Sequence, residues 1–383
     1  MKKAGVITIV KDAVDESFGP AVQILAVQKY LKKYDIEAET IIDNNNRRNF
    51  IQNVFRGLDE FKNGKGGLKL VLLKLGIISN GDKAKTRDKA LVEKLIKERR
   101  LSYGEFIDKY VKISDLTEED LYLGNDKIKK YDYFVVGSDQ VWNPYYPQLD
   151  RIKYLQFCEA KKRVAFSPSI AREDIPKRFI KRFKDGVSGF NNISVREEKG
   201  REIIKKYTGL DASVLLDPTM LIDVDFWKSI EKKSDKMPKK KYLVSYFMGN
   251  CNRKIIEKFA EKRNLEIVWL RDFDYPEYYK FNPMEYMYLI DNADLVCTDS
   301  FHMSVFSILL RKKFVVFERD ATGVKGMGSR LSNLLNKFDL NDRYFDGNVA
   351  EKYFEMPKFD KVDEVLSIER RKASEFFDKI FKE

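Results

Sequence analysis

The sequence predicts an α/β fold of two doubly wound, Rossmann-like domains, each built on a parallel sheet, with a cleft between them. Three observations carry this expectation. Short continuous apolar runs alternate with helical stretches along most of the 383 residues, the pattern of strands covered by helices on both faces. A charged, proline-containing break from Lys232 to Lys241 (KKSDKMPKKK) divides two such series, as an interdomain linker does. The length suffices for two hydrophobic cores.

The elements follow in order. Gly5 to Val10 is the first predicted strand, Asp12 to Phe18 a polar loop, and Gly19 to Tyr34 an amphipathic helix with Val22, Leu25, Ala26, Tyr30 and Leu31 near one face. Ala38 to Ile42 is the second strand. A basic insert runs from about residue 44 to residue 129. Tyr131 to Val136 is the next strand and opens into Gly137-Ser138-Asp139-Gln140-Val141-Trp142-Asn143-Pro144. Arg163 to Ser167, Ile193 to Val195 and Ser213 to Leu216 complete a first domain, residues 1–231, with Glu198 to Tyr207 helical. After the linker at 232–241, residues 242–358 form the second. Its strands are Tyr242 to Met248, Glu266 to Leu270, Leu295 to Thr298 and Phe314 to Phe317, and its helices start near Asn252, Pro283, His302 and Arg330. A charged helix within 359–383 is expected to cross back onto the first domain.

No window of 18 uncharged apolar residues occurs, so no spanning helix is predicted. The start, Met1-Lys2-Lys3 followed by Ala4 to Val10, breaks at Lys11-Asp12 without a small-residue cleavage site and reads as a strand rather than a leader. Cys158, Cys251 and Cys297 lie far apart with no C-x-x-C, which fits reduced thiols in a cytoplasmic protein.

His302 is the only histidine. It follows the apolar run Ala293 to Cys297 and precedes Val305 to Leu310, so it belongs in the first turn of a helix at the carboxyl end of a parallel strand, where open α/β sheets bind ligands. Ser300 is a suitable N-cap. The helix start offers free N–H groups to phosphate or carboxylate. A single histidine excludes multi-histidine zinc sites and paired-histidine relays. Asp139 ends another strand and is the candidate to orient or deprotonate a hydroxyl. Beside it Trp142 offers a face for stacking a sugar ring, and Gln140 and Asn143 offer amides to its hydroxyls. Arg196, just past a third strand, has a planar guanidinium matched to carboxylate or phosphate. The glycine-rich stretch Gly323-Val324-Lys325-Gly326-Met327-Gly328-Ser329 leads into Arg330, another anion ligand, although it is neither a Walker loop nor a dinucleotide fingerprint. Two Asp-x-Asp pairs, Asp223/Asp225 and Asp272/Asp274, are common acidic patterns, and no metal or cofactor is assigned.

Together, Val136-Gly137-Ser138-Asp139-Gln140-Val141-Trp142-Asn143, Ser194-Val195-Arg196-Glu197, Leu216-Asp217-Pro218-Thr219 and Thr298-Asp299-Ser300-Phe301-His302 resemble the polysaccharide pyruvyl transferase family, with Phe18-Gly19 and Gln23 similar to its N-terminal loop and helix. The resemblance implies a GT-B-like fold and transfer of a pyruvyl group from phosphoenolpyruvate to two hydroxyls of a sugar in a cell-surface polysaccharide or its precursor, closing a cyclic ketal. It implies Arg196 and His302 as donor-site residues, with Ser300 and Phe301 beside them. His302 and Asp139 are the candidate proton-transfer groups, Arg330 a further donor ligand, and Trp142, Gln140 and Asn143 the acceptor ligands. One departure from the family is Met303, where glycine is usual after the histidine; a side chain there is expected to narrow the donor site or change the donor. Two rival readings remain at this point, a GT-B glycosyltransferase with a nucleotide-sugar donor and a non-catalytic glycan- or lipid-binding relative.

The net charge of +12 is uneven. From Lys62 to Arg100 there are 12 Lys/Arg against 4 Asp/Glu, two thirds of the excess, flanking the apolar stretch Leu68 to Ile78. This composition suits either a packed helix with a solvated basic side or a peripheral contact with an anionic membrane carrying the acceptor; interleaved aromatics that would suggest nucleic acid are lacking. Each lysine or arginine near anionic lipid contributes about 1 kcal/mol. Co-sedimentation with anionic liposomes is expected at low salt, lost at high salt and lost when Lys65, Lys69 and Lys74 become Glu. Indifference of the native protein to such vesicles leaves the insert as scaffold.

Overall fold

The computed structural model describes residues 1–9, 17–42, 89–117, 120–121, 124, 126–145, 150–320 and 328–382. Lys65, Lys69 and Lys74, most of the polar loop before Phe18, and Gly323 to Met327 lie outside them.

In the first domain β1 (Lys2–Ile7) leads to helix α1 (Phe18–Leu31) and β2 (Ile36–Thr40). Helix α2 (Lys89–Tyr110) follows, then β3 (Tyr133–Val136), β4 (Arg163–Ala165), β5 (Ser194–Val195), α3 (Glu198–Thr208), β6 (Ser213–Val214) and the short α4 (Pro218–Leu221). Strand order is β2-β1-β3-β4, all parallel, and an Ala165–Ile193 bridge adds the β5-β6 pair. The second domain holds β7 (Tyr242–Tyr246), β8 (Glu266–Leu270), α5 (Pro283–Asn292), β9 (Leu295–Thr298), α6 (Phe301–Leu309), β10 (Phe314–Val316) and α7 (Gly328–Lys337), with parallel order β10-β9-β7-β8. Helix α8 (Asp360–Phe381) closes the chain. This is the two-domain, GT-B-like α/β architecture. No helix among the described residues is long and apolar enough to cross a membrane.

Helix α1 differs from the amphipathic helix predicted. Phe18 through Val27 are all buried, because the helix packs on the first sheet and on the second domain at once. Its Phe18 ring meets Tyr286 at 5.6 Å and Phe306 at 5.1 Å. A helix apolar around its circumference is a buried one, and FGPAVQILAVQ reads that way.

The stretch read as a basic insert also contributes to the fold. Tyr103, Phe106 and Ile107 on α2 join the main core, and the carbonyl of Lys112 accepts from Thr40 N–H at 2.8 Å. From the same helix Arg99, 1% exposed, donates to the Tyr279 carbonyl at 2.6 Å and the Tyr286 hydroxyl at 2.9 Å in the second domain. Its guanidinium lies 5.0 Å from the Tyr279 ring centre, so α2 ties the two domains.

Helix α8 lies against the first domain. Phe377 packs on Tyr30 (5.2 Å) and Phe166 (4.5 Å), Phe381 on Tyr34 (5.2 Å) and Tyr133 (4.9 Å). Arg370 donates to the Met220 and Ile222 carbonyls. Phe377 is fully buried, so Phe377→Ala is expected to cost about 3–5 kcal/mol in urea denaturation; a change below about 1 kcal/mol, as at exposed sites, would mean that α8 only rests on the surface.

Candidate active site

The carboxyl ends of both sheets face one another across the domain junction, and the strand-end residues meet there. After β3, Gly137 has φ +124° and a Cβ on it would lie 2.1 Å from the Phe166 carbonyl oxygen, so only glycine fits the turn. Asp139 follows with φ +53°, a left-handed conformation that aspartate tolerates better than most residues. Its Oδ1 lies 3.5 Å from Arg196 Nη2 and 3.9 Å from Arg330 Nη1.

His302 occupies the first turn of α6, with Ser300 as N-cap accepting from Met303 N–H. The imidazole is held between the domains. On one side its Nδ1 faces Gly19 in the first turn of α1, where any Cβ would approach it to 2.2 Å. On the other, Nε2 lies 3.5 Å from Asp217 Oδ2, an ion-pair separation too long for a strong hydrogen bond. Asp217 is the N-cap of α4. Its Oδ1 accepts from Thr219 N–H (3.0 Å) and hydroxyl (2.7 Å), and its Oδ2 from Arg196 Nη1 (2.8 Å). Burial raises its pKa, but the charges of His302 and Arg196 and the Thr219 hydrogen bonds outweigh burial and hold the carboxyl well below the usual range.

Arg196 is buried with its nitrogens distributed among three carboxylates: Nη1 to Asp217, Nε to Glu197 at 3.2 Å, and Nη2 to Asp139. Its guanidinium stacks 4.3 Å from the Phe301 ring centre. Arg330 is the contrasting case. It is 6% exposed and its buried Nε has no hydrogen-bond partner among the described residues. Burial, together with the neighbouring Arg196, pushes its pKa down to about 10. A guanidinium so placed favours an anion.

A cavity of about 180 Å³ opens here, lined by Ser17, Gly19 and Pro20 at the start of α1, Ser300, Phe301 and His302 at the start of α6, and Asp139, Gln140, Arg319 and Arg330. Two helix N-termini, one from each domain, thus face the same space. Each start offers N–H groups that have no carbonyl partner within the helix, and positive partial charge. Arg319 donates to the Asp299 carbonyl at 3.0 Å, while the Asp299 carboxylate accepts from Met248 and Gly249 N–H and fixes the loop after β7.

The structure therefore gathers Asp139, Gln140, Ser300, Phe301, His302 and Arg330 around one cavity, and corrects four expectations. Trp142 is fully buried in the first-domain core, its indole N–H donating to the Lys153 carbonyl at 3.0 Å; it offers no face to a sugar. Asn143 turns its amide to Gln140 and its oxygen to Tyr145 N–H and does not line the cavity. Arg196 turns each of its three nitrogens to a carboxylate from a separate strand end, so it holds the acids of the site together and does not stand as a free guanidinium. Met303 is fully buried within the core, since one helical step turns it away from the cavity, so it does not narrow the site. Asp217 and Gly19 are the residues that sequence reasoning left without a role. As for the Asp-x-Asp pairs, Asp223 caps the helix at Val224–Ser229 and Asp272 and Asp274 sit against Arg253.

A family model described as polysaccharide pyruvyl transferase matches residues 18–321. No curated protein sequence matches the chain. Among solved structures, the chain is similar to UDP-GlcNAc 2-epimerase from Neisseria meningitidis bound to UDP-GlcNAc, with 12% identity over 97% of this chain and 93% of that one (TM-score 0.42). It is also similar to UDP-N-acetylglucosamine 2-epimerase from Rickettsia bellii, with 11% identity over 100% and 97% (TM-score 0.45). A glycosyltransferase from Rickettsia africae ESF-5 aligns at 12% identity over 100% and 98% (TM-score 0.43).

The low pKa of Asp217 makes stability depend on pH. Its folded value lies below the unfolded value of about 3.9, so its contribution is fully present above that pH and is lost as pH falls further. Asp217→Asn leaves Arg196 and His302 without their shared partner and is expected to cost about 3–5 kcal/mol at pH 7. The difference from the native protein should narrow below about pH 4, read from urea midpoints at stepped pH. A difference independent of pH down to the acid transition would show that Asp217 is not ionised in the folded state.

Proposed function

The chain belongs to the polysaccharide pyruvyl transferase family, and from that premise we propose that it transfers a pyruvyl group from phosphoenolpyruvate to two hydroxyls of a sugar in a cell-surface polysaccharide or its precursor. One observation supports this above the others. Two helix starts and a buried guanidinium, whose Nε has no hydrogen-bond partner among the described residues, surround a cavity that also holds the only histidine. Phosphoenolpyruvate brings the matching charges, a carboxylate and a phosphate. One group sits at the start of α1 and the other at the start of α6, with Arg330 between them.

The chemistry then asks for one proton donor. Nε2 of His302 is buried against Asp217, which leaves Nδ1 for the substrate. A proton moves from His302 to C3 of the donor, C2 becomes electrophilic, and a sugar hydroxyl bonds to it. The C2–O bond to phosphate breaks, and the second hydroxyl closes the ketal. Of the two hydroxyl protons, one balances the new methyl group by restoring His302, and the other leaves with phosphate. Asp217 stabilises the charged imidazole, and Arg196 holds Asp217. Asp139 takes the hydrogen of the incoming hydroxyl. No step calls for a metal ion, and turnover is expected to survive EDTA. With acceptors on lipid carriers, the basic segment 62–100 would bring the protein to the anionic inner face of a membrane.

Purified protein, phosphoenolpyruvate and a panel of lipid-linked or nitrophenyl sugars provide the test. Expected are stoichiometric phosphate and a product heavier by one pyruvate less one water; release of a nucleoside diphosphate from a nucleotide sugar instead would overturn the reading. His302→Ala should lower turnover about 10²–10⁴-fold, and His302→Gln should rescue little. A near-normal Gln variant would restrict His302 to positioning the donor. Arg330→Ala should weaken phosphoenolpyruvate binding by about 2–5 kcal/mol in calorimetry, whereas unchanged affinity would remove Arg330 from the donor site.

A further inference from the structure

The cleft has a second compartment. A cavity of about 350 Å³ lies over the carboxyl ends of β5 and β6, against α7 of the second domain. Phe301 and Arg330 line it as well as the first cavity, and Asp217, the partner of His302, forms part of its wall. The two spaces are adjacent, sharing Phe301 and Arg330 in their linings, with Arg196 stacked on the Phe301 ring at the second.

Their chemistry differs. The first has two helix starts; Arg330, whose Nε has no hydrogen-bond partner among the described residues, borders both spaces. The second is lined by Glu197 and Glu198, and by Asn333 and Asn336, which carry side-chain amides. Those amides are three residues apart on α7, hence on one helical face, and both residues are exposed. Its other positive groups are committed: Arg196 to three carboxylates, and Lys337 to Glu369 at 3.0 Å. Below them lies an apolar floor that includes Val214, Leu216 and Leu334. Carboxylates repel an anion here. Amides and carboxylates above an apolar floor suit an uncharged polyol with a C–H face, which is the character of a neutral sugar ring.

We propose that this second compartment is the acceptor subsite and holds an uncharged sugar residue; the assignment rests on the reading of the first cavity as the donor site. It replaces the aromatic platform expected at Trp142, which the core has taken. A sugar seated there presents its hydroxyls beside Phe301 to the carbon held next to His302, while the donor enters from the helix-start side.

The test uses the full chain, phosphoenolpyruvate and a neutral nitrophenyl hexoside. The double variant Asn333→Ala/Asn336→Ala should raise the acceptor KM roughly tenfold, what two lost hydrogen bonds are worth, and leave the calorimetric Kd for phosphoenolpyruvate unchanged. Glu198→Gln, at a single exposed carboxylate, should move the acceptor KM in the same direction and supplies the reading if the double variant misfolds. An unchanged acceptor KM in the folded variants, or a loss of donor affinity instead, overturns the assignment. If the native protein releases no phosphate at all, the donor reading fails, and ligand-observed NMR of the hexoside alone decides the subsite. Saturation transfer to the native protein but not to the variants keeps it, and equal transfer, or none, removes it.

Discussion

One contact joins the two halves of this molecule where the chemistry is expected. The imidazole of His302 comes from the second domain, while Gly19 and Asp217 on either side of it come from the first. For the ring to sit there, α1 must begin without a side chain at Gly19, and must be apolar on both faces to lie between two domains. Asp217 must be presented by the turn after β6, which its own capping of α4 ensures. Helix α2, through Arg99, and α8, through Phe377 and Phe381, fasten the domains from outside. The junction is thus a shared core rather than a hinge surface, and the His302–Asp217 pair is one of its buried contacts.

The electrostatics of the junction come from the same placement. Three carboxylates around Arg196 would be costly to bury without a counter-charge. Arg196 supplies it, and His302 adds a second when protonated. Arg330 then stands close to Arg196 with only a distant claim on Asp139, 3.9 Å away, and its pKa falls. Three carboxylates against Arg196 and a protonated imidazole leave an excess of negative charge on the Asp217 side, whereas the helix-start side holds Arg330 and two helix N-termini. On the proposed reading, a donor with two anionic groups takes the second place and a neutral acceptor the first.

Much of the fold was legible because buried parallel strands read as continuous apolar runs, and the site lies at the ends of those runs. Asp139, Ser300, Phe301 and His302 could be found because each stands within a few residues of a strand's carboxyl end. Residues whose role depends on distant partners were harder to read. Arg196 looked like a free guanidinium because Asp139 and Asp217 are 57 and 21 residues away. Trp142 next to a polar strand end looked like a binding surface, but only the packing of Tyr154 and Phe190 against it reveals a core position. Met303 was read as a neighbour of the site because it comes directly after the histidine, whereas one residue on a helix is a turn of about 100°. For α1 the signal was present: the run from Phe18 to Gln28 carries no charged residue, which describes a helix buried on every side.

The central claim is that His302 delivers a solvent-derived proton to C3 of phosphoenolpyruvate as the sugar attacks C2. Running the reaction in D2O tests it most directly, because the imidazole proton exchanges with solvent and the new methyl group records its source. The native protein, and not His302→Ala, is expected to form a ketal whose methyl carries one deuterium, together with one phosphate. A ketal methyl free of solvent deuterium, or the same singly deuterated product formed at the native rate without the imidazole, would contradict it.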